Sequence, residues 1–151
     1  MTPSLSRRDL TAGIGAAAAG AILPRAAMAQ TATPAEASPV PPDFRVVLHV
    51  SSIDHWPYAL SNIDNLRHDW PRATVRVVVD GTAVYSLQGL NDVVAALTTA
   101  HAAGLQLAVC PNALREHNVA ASSVPTFADT SLGGVAALIA ANIAGFIYVK
   151  P

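Results

Sequence analysis

The stretch Thr74-Val75-Arg76-Val77-Val78-Val79-Asp80-Gly81 indicates the fold class. Its β-branched residues are typical of a strand that is covered on both faces, and the Asp-Gly pair that follows is a turn signal. Similar apolar runs occur at 44–50, 105–109 and 146–149, and helix-like stretches separate them. Strands that alternate with helices pair in parallel through right-handed crossovers, so the sequence predicts a three-layer α/β/α sandwich with a parallel sheet of four or five strands.

The first two helices are predicted from their start and stop residues. Asp54 is the expected N-cap of the first helix, and Pro57 suits its first turn. Asn91 is the expected N-cap of a helix over 92–103, and Gly104 is expected to end it. Both helices fall between predicted strands, as an α/β fold requires.

The second half of the chain is predicted to hold two more helices. A short helix covers 113–117 with Asn118 as its left-handed end, and a longer helix covers 132–144, where Gly145 ends it. Residues 123–127 are predicted as a short strand or a loop, because a proline inside a strand is confined to an edge position.

The first 29 residues have the pattern of an export signal. Arg7-Arg8 precede a mildly apolar stretch of 14 residues, Leu10 to Leu23, and Ala27-Met28-Ala29 forms a cleavage site. The apolar stretch is shorter than the ~20 residues of a membrane-spanning helix, so it predicts a signal and no membrane anchor after its removal. The paired arginines are similar to twin-arginine signals, and the alternative is an ordinary secretory signal. The predicted location is the periplasm.

The rest of the chain divides into a linker and one folded domain. Residues 30–43 are rich in Pro and Ala and predict a flexible linker, because they cannot bury enough apolar surface to offset ordering. Residues 44–151 are long enough for one modest core. Removing the signal changes 9 basic and 10 acidic residues to 6 and 9, a formal net charge of −3. Nucleic acid is therefore a poor candidate partner, since phosphate binding needs clustered Lys and Arg.

The single cysteine of the chain, Cys110, lies between the predicted strand 105–109 and Pro111-Asn112. Parallel strands direct their carboxyl ends to one edge of the sheet, where open α/β sheets bind ligands. We therefore expect Cys110 to share that edge with His49 and with Asp80 and Gly81. The alternative is that Cys110 is a small buried hydrophobic residue, as free cysteines often are.

The other candidate residues each have a structural alternative. Asn112 can donate its amide to an oxyanion or a persulfide, or cap a helix. His49 can act as a general base or as a hydrogen-bonded structural histidine. Asn62 and Asn65 are three apart on the first helix and can reach the same cleft, or remain solvated. Asp80 can bind the backbone of its own turn.

We predict no metal and no cofactor. His49, Asp80 and Cys110 carry suitable ligand types, but the sequence lacks the paired spacing that metal sites show.

Several of these residues together resemble the DsrE/DsrF-like sulfur-relay family, particularly its small exported single-domain members. The resemblance covers 44–151 and depends on the ending Gly145–Pro151, the segment Cys110-Pro111-Asn112, His49, and Asn62 with Asn65. It implies a parallel α/β/α fold, homo-oligomerisation, and a cysteine at the end of the third strand that carries sulfur as a persulfide. The sequence departs from the family pattern at Asp80, where a His or Asn is expected before the glycine.

The function predicted from this resemblance is a periplasmic carrier of sulfane sulfur that uses Cys110, with sulfurtransferase-like activity if the site turns over. Because the chain has no second cysteine, its partner is a sulfur donor or acceptor thiol on another protein or a small molecule. The alternative is a non-catalytic oligomeric binding module in which Cys110 only packs.

Overall fold

The computed structural model describes residues 40–151. The predicted signal peptide, 1–29, and most of the predicted linker lie outside these residues. Residues 40–43, at the end of that linker, form no helix or strand. Within the described part of the chain, none of the helices combines the length and the apolar character needed to cross a bilayer.

Four strands form one parallel sheet in the order β3-β2-β1-β4. The strands are β1 (Arg45–Val50), β2 (Thr74–Val79), β3 (Gln106–Val109) and β4 (Ile147–Val149). The two central strands are mostly buried, which explains why valine and other apolar residues make up most of them. The short β4 pairs with β1 alone and forms one edge of the sheet.

In the described residues, four α-helices connect and flank the strands: α1 (Trp56–Asp69), α2 (Asp92–Ala102), α3 (Pro111–Glu116) and α4 (Gly134–Ile143). On one face of the sheet, alternate residues of β1 such as Val46 and Leu48 belong to the same apolar cluster as residues of α1 and α2. On the other face, Val47 and Val78 pack with residues of α4. The predicted three-layer α/β/α sandwich is therefore confirmed, with four strands.

Several local end signals act as predicted. The Asn91 side chain accepts a hydrogen bond from the Val94 amide at 3.0 Å and caps α2. Gly104 and Gly145 follow their helices with φ of +97° and +82°, and Asn118 follows α3 with φ of +55°. Their helices end there because a left-handed backbone conformation breaks the helical hydrogen-bond pattern.

Two local predictions are wrong, and one that left two alternatives open is decided. Asp54 does not cap α1; it lies in a 3₁₀ turn, Ile53–His55, that leads into the helix. Of the two alternatives for residues 123–127, the structure has the loop, and the edge of β3 is joined by a single bridge from Ala108 to Asp129. The short α3 begins at Pro111, earlier than predicted, since proline at the first helical position needs no hydrogen-bonded N–H.

A 3₁₀ segment, Gly81–Leu87, follows β2, although the sequence of this segment shows no helical periodicity. It buries Ala83, Val84 and Leu87 against the main cluster. The Trp56 indole donates a hydrogen bond to the Ala83 carbonyl oxygen at 3.1 Å, which joins this segment to the start of α1. Tertiary contacts therefore hold a segment that local propensity does not specify.

Candidate functional site

The carboxyl edge of the sheet places three successive strand ends side by side. The Asp80 amide donates to the Val50 carbonyl oxygen at 3.1 Å, and the Cys110 amide donates to the Val79 carbonyl oxygen at 2.9 Å. These bonds continue the ladder one residue beyond the strands. They fix Asp80 and Cys110 at the same edge, because each amide is held by the neighbouring strand.

Cys110 is mostly buried, with 7% of its surface exposed, and belongs to the main apolar cluster. It also lines a cavity of about 480 Å³ together with Asp80, Asn112 and residues of the α4 amino end. We name this space the Cys110 cavity. The lining residues from the α4 region are Gly133, Gly134, Val135, Ala136 and Ile139. The thiol is thus packed on one side and borders a cavity on the other.

Asp80 holds a chain of polar groups that runs across the edge of the sheet. Its Oδ1 lies 3.0 Å from His49 Nε2, and His49 Nδ1 lies 2.9 Å from the Tyr148 hydroxyl. An ionised Asp80 accepts a proton-bearing Nε2–H, which leaves Nδ1 to accept from the Tyr148 hydroxyl. His49 is therefore oriented by partners on both ring nitrogens.

Gly134 allows Asp80 to approach the amino end of α4. A Cβ atom at Gly134 would lie 2.7 Å from Asp80 Oδ2, too close for any other residue without a shift. No side chain caps α4, whose N-cap is Gly133. The carboxylate therefore lies beside the positive end of the helix dipole, which stabilises its negative charge.

Gly81 permits a second close approach at this edge. Its φ is +49°, and a Cβ atom there would overlap the Ser51 carbonyl oxygen. Gly81 starts the 3₁₀ segment immediately after Asp80. Its contribution to the site is the backbone turn that leaves the Asp80 side chain at the edge.

Asn112 lies on the first turn of α3 and lines the Cys110 cavity. Its Oδ1 accepts a hydrogen bond from the Arg115 guanidinium at 2.7 Å. Its Nδ2 is close to Gly133, where a Cβ atom would approach it to 3.3 Å. Arg115 therefore orients the amide so that its donor side is directed towards the α4 amino end.

Asn62 and Asn65 do not reach the Cys110 cavity. Both line a separate, largely apolar cavity of about 260 Å³ with Trp70 and Val149, between α1 and the β4 edge. The helix spacing brings the two amides together, but it does not direct them to the edge where the strands end. The structure thus assigns these asparagines to a different surface from the thiol.

Another cavity, of about 450 Å³, lies along β3 and is lined by Arg76, Gln106 and Asp129 among others. Its main cation is already paired, because Arg76 Nε and one terminal nitrogen donate to Gln106 Oε1 at 2.8 and 2.7 Å. Its lining contains no thiol. This cavity therefore offers fewer reactive side chains than the Cys110 cavity.

Sequence reasoning missed Tyr148 and the α4 residues of the site. Tyr148 lies in an apolar terminal strand, and only the pairing of β4 with β1 brings its hydroxyl to His49. The Gly133-Gly134 pair was the available signal, since adjacent glycines before a helix allow close approach of another group. Within 40–151 no group of three His, Cys, Asp or Glu side chains is placed to hold a metal ion.

The fold and site define a parallel three-layer α/β/α protein with one thiol beside a cavity at the carboxyl edge of its sheet. A comparison with protein-family models gives no match, and a comparison with curated proteins gives none either. A solved structure, a protein of unknown function, MTH1491, from Methanobacterium thermoautotrophicum, is similar with a TM-score of 0.67 and 22% identity. The similarity covers 72% of this chain and 100% of that one, and it supports the fold alone.

Proposed function

We propose that this protein is a DsrE/DsrF-like sulfur carrier in which Cys110 accepts sulfane sulfur as a persulfide and passes it to a separate thiol. The observation that carries the proposal is the position of Cys110 at a cavity of about 480 Å³, beside Asp80 and Asn112. A thiol that only packs needs no such cavity. The partners are a sulfur donor and an acceptor thiol, on a protein or a small molecule.

The loading step is a displacement at sulfur. The Cys110 thiolate, its proton lost to solvent, attacks a sulfane sulfur of a polysulfide. A new bond forms at Sγ, the S–S bond of the donor breaks, and its electron pair leaves with the shortened polysulfide anion. No external oxidant or reductant is consumed.

The discharge step is the same reaction in the opposite sense. An acceptor thiolate attacks the outer sulfur of the persulfide, and Cys110 leaves as a thiolate. The acceptor must come from outside, because the chain contains no second cysteine to resolve the intermediate. This requirement favours a carrier that binds two partners in turn.

The polar groups around the thiol have distinct roles in this proposal. The amide of Asn112, oriented by Arg115, can donate to a persulfide anion in the cavity. The Asp80 carboxylate opposes further negative charge there, although His49 and the α4 amino end offset part of its effect. We therefore expect Cys110 to take up sulfur slowly from a small donor in solution, and faster from a partner protein that delivers the sulfur atom into the cavity.

The carrier proposal is tested by the intact mass of the full chain after incubation with polysulfide. We expect an increase by the mass of a sulfur atom that a reducing thiol removes. The matched control is Cys110→Ser, which keeps the size of the side chain and should gain nothing. An unmodified wild-type protein, or an equal adduct on Cys110→Ser, contradicts the proposal.

A second candidate function is a non-catalytic binding module with a structural Cys110. The specific observation in its favour is that Cys110 is 7% exposed and belongs to the main apolar cluster. In that case a small alkylating reagent should modify the thiol only after denaturant is added. Modification of the native protein favours the carrier.

We propose that the protein is exported to the periplasm by the twin-arginine route. The support is the Arg7-Arg8 pair before a weakly apolar stretch. The double substitution Arg7→Lys and Arg8→Lys should retain the chain in the bacterial cytoplasm, as measured by cell fractionation. Undiminished export of this variant would indicate the ordinary secretory route.

A further inference from the structure

The cavity along β3 combines an apolar wall with a permanent positive charge. Its volume of about 450 Å³ is typical of sites that bind small molecules. We name it the β3 cavity. Leu107 of β3, Phe127 and Leu132 of the loop before α4, and Ala137 of α4 belong to its apolar wall. Among the described residues that line it, Arg76 is the one with a permanent positive charge.

Arg76 is hydrogen-bonded, but its charge is not neutralised. Its Nε and one terminal nitrogen donate to Gln106 Oε1 at 2.8 and 2.7 Å, and Gln106 is an uncharged amide. Within residues 40–151 the Arg76 guanidinium forms no ion pair with a carboxylate. The bonds to Gln106 use only part of the N–H groups of a guanidinium, so the others remain available to a ligand.

The Arg76 guanidinium is held in place before any ligand binds. Its Cζ lies 4.5 Å from the centre of the Phe146 ring, which is a cation–π contact. This contact and the two bonds to Gln106 restrict a long side chain that is otherwise free to rotate. A donor that is already fixed loses less conformational entropy when a ligand binds, so Arg76 is preorganised as an anchor.

Two titratable side chains also border the β3 cavity. Asp129 is exposed, and one of its carboxylate oxygens accepts from the Ser131 amide at 2.9 Å. His101 Nδ1 lies 2.9 Å from the Leu105 carbonyl oxygen, so this nitrogen carries a proton and donates. The charge balance of the cavity suits a ligand with one negative charge, because a second negative charge would meet Asp129 without another permanent cation to offset it.

We propose that the β3 cavity binds a small organic carboxylate with an apolar body. The carboxylate pairs with Arg76, because a guanidinium matches the planar geometry of a carboxylate. The body lies against Phe127 and Leu132 and removes their surface from water. An apolar cavity of about 150 Å³ is large enough for benzene, so the β3 cavity has room for one ring and its acid group.

The proposal is tested by titration of the full chain with 3-phenylpropionate, followed by the NMR shifts of backbone amides. We expect saturable shifts at Gly104 and Ala137, which line the cavity. The matched neutral probe is 3-phenylpropionamide, which has nearly the same size and no charge. It should bind at least about tenfold more weakly, because it lacks the charge-assisted hydrogen bond to Arg76.

The sharpest variant is Gln106→Glu. The new carboxylate still accepts both hydrogen bonds from Arg76 but neutralises its charge, so the affinity for 3-phenylpropionate should fall about tenfold. The matched control, Gln88→Glu, adds the same charge outside the β3 cavity and should bind like wild type. Asp129→Asn should bind the acid more tightly than wild type, because it removes a like charge from the cavity.

Three results would overturn the proposal. They are the absence of saturable shifts at the cavity, equal affinities for the acid and the amide, and an unchanged affinity in Gln106→Glu. The β3 cavity shares no lining residue with the Cys110 cavity. A failure here therefore leaves the carrier function standing, and a failed sulfur loading leaves this site standing.

Discussion

The two faces of the sheet differ in how they are covered. The face under α1 and α2 packs large side chains, including Trp56, Ile63 and Leu97, into a continuous cluster. The face under α4 relies on Ala137, Ala141 and a few neighbours, and α4 leaves its larger side chains in water. We infer from this difference that the face under α1 and α2 supplies most of the stability, while the face under α4 is packed by few and small side chains and carries the Cys110 cavity and exposed apolar residues.

The largest expected effect concerns the thick face, which is the face of the sheet under α1 and α2. Trp56→Ala should lower the free energy of unfolding by about 4 kcal/mol, because it removes a buried aromatic ring and leaves the Ala83 carbonyl oxygen without its donor. Urea denaturation measures the change. On the thin face, which is the face under α4, Ile143→Ala at low protein concentration should lower the free energy of unfolding by less than about 0.5 kcal/mol, since that side chain is 82% exposed. Equal costs would mean that the two faces do not differ in this way.

A smaller effect is expected where the second helix of the thick face begins. Asn91→Ala should cost about 1 kcal/mol, because Asn91 caps α2 through the Val94 amide and donates to two carbonyl oxygens of the preceding loop. The stability of the purified variant against urea checks this value. An unchanged midpoint would show that water replaces the cap without loss.

At the cavity, Asp80→Asn should change reactivity more than stability. The amide oxygen can still accept from His49 Nε2, so the free energy of unfolding should change by less than about 1 kcal/mol. Asp80 and Cys110 line the same cavity, so without the carboxylate an anionic alkylating reagent meets less repulsion there, and native Cys110 should be alkylated several-fold faster. The control, Asp69→Asn, removes a carboxylate at the carboxyl end of α1 and should not alter the rate. Equal rates in wild type, Asp80→Asn and Asp69→Asn would show that the Asp80 carboxylate does not affect the reactivity of the thiol.

The smallest effect concerns pH and the segment that covers the β3 edge. Hydrogen bonds from the Ser131 side chain and then its backbone amide lower the pKa of Asp129, and Arg76 adds a smaller effect in the same direction. A lowered pKa stabilises the folded state above the unfolded value, and this stabilisation is lost as acid protonates the carboxylate. Asp129→Asn should therefore cost a few tenths of a kcal/mol near neutral pH, since the group is exposed. Unfolding measured along a pH series should show the difference begin to shrink as the pH falls below 3.8, the ordinary aspartate value, and vanish once the pH is below the lowered pKa of the folded state. A difference that grows in acid would contradict this sign.

Much of the fold could be predicted because its signals are local. The central strands are rich in valine, Asn91 caps its helix through its side chain, and Gly104, Asn118 and Gly145 mark helix ends through their backbone preferences. Residues 123–127, which the sequence leaves open between strand and loop, form a loop for a tertiary reason. The β3 edge accepts the Asp129 backbone instead, with bonds of 2.9 and 2.8 Å to Leu107 and Val109.

The candidate site could be predicted only in part. That Asp80 and Cys110 share an edge follows from parallel strand order, which the alternating pattern provides. The contact of Tyr148 with His49 depends on β4 pairing beside β1, and the separation of Asn62 from the thiol depends on how α1 lies over the sheet. Helix spacing gives the face of a helix, but not the strand that this face covers.

The most direct test of the account is the alkylation of Cys110 in the native full chain by a small reagent, followed by intact mass. We predict that the thiol is modified without denaturant and that Ala136→Trp, which places a large ring on the cavity wall, slows the reaction. Leu90→Trp is the matched control and should react like wild type. A thiol that is modified only after unfolding would contradict the claim that this cysteine is reached through the cavity on the α4 face.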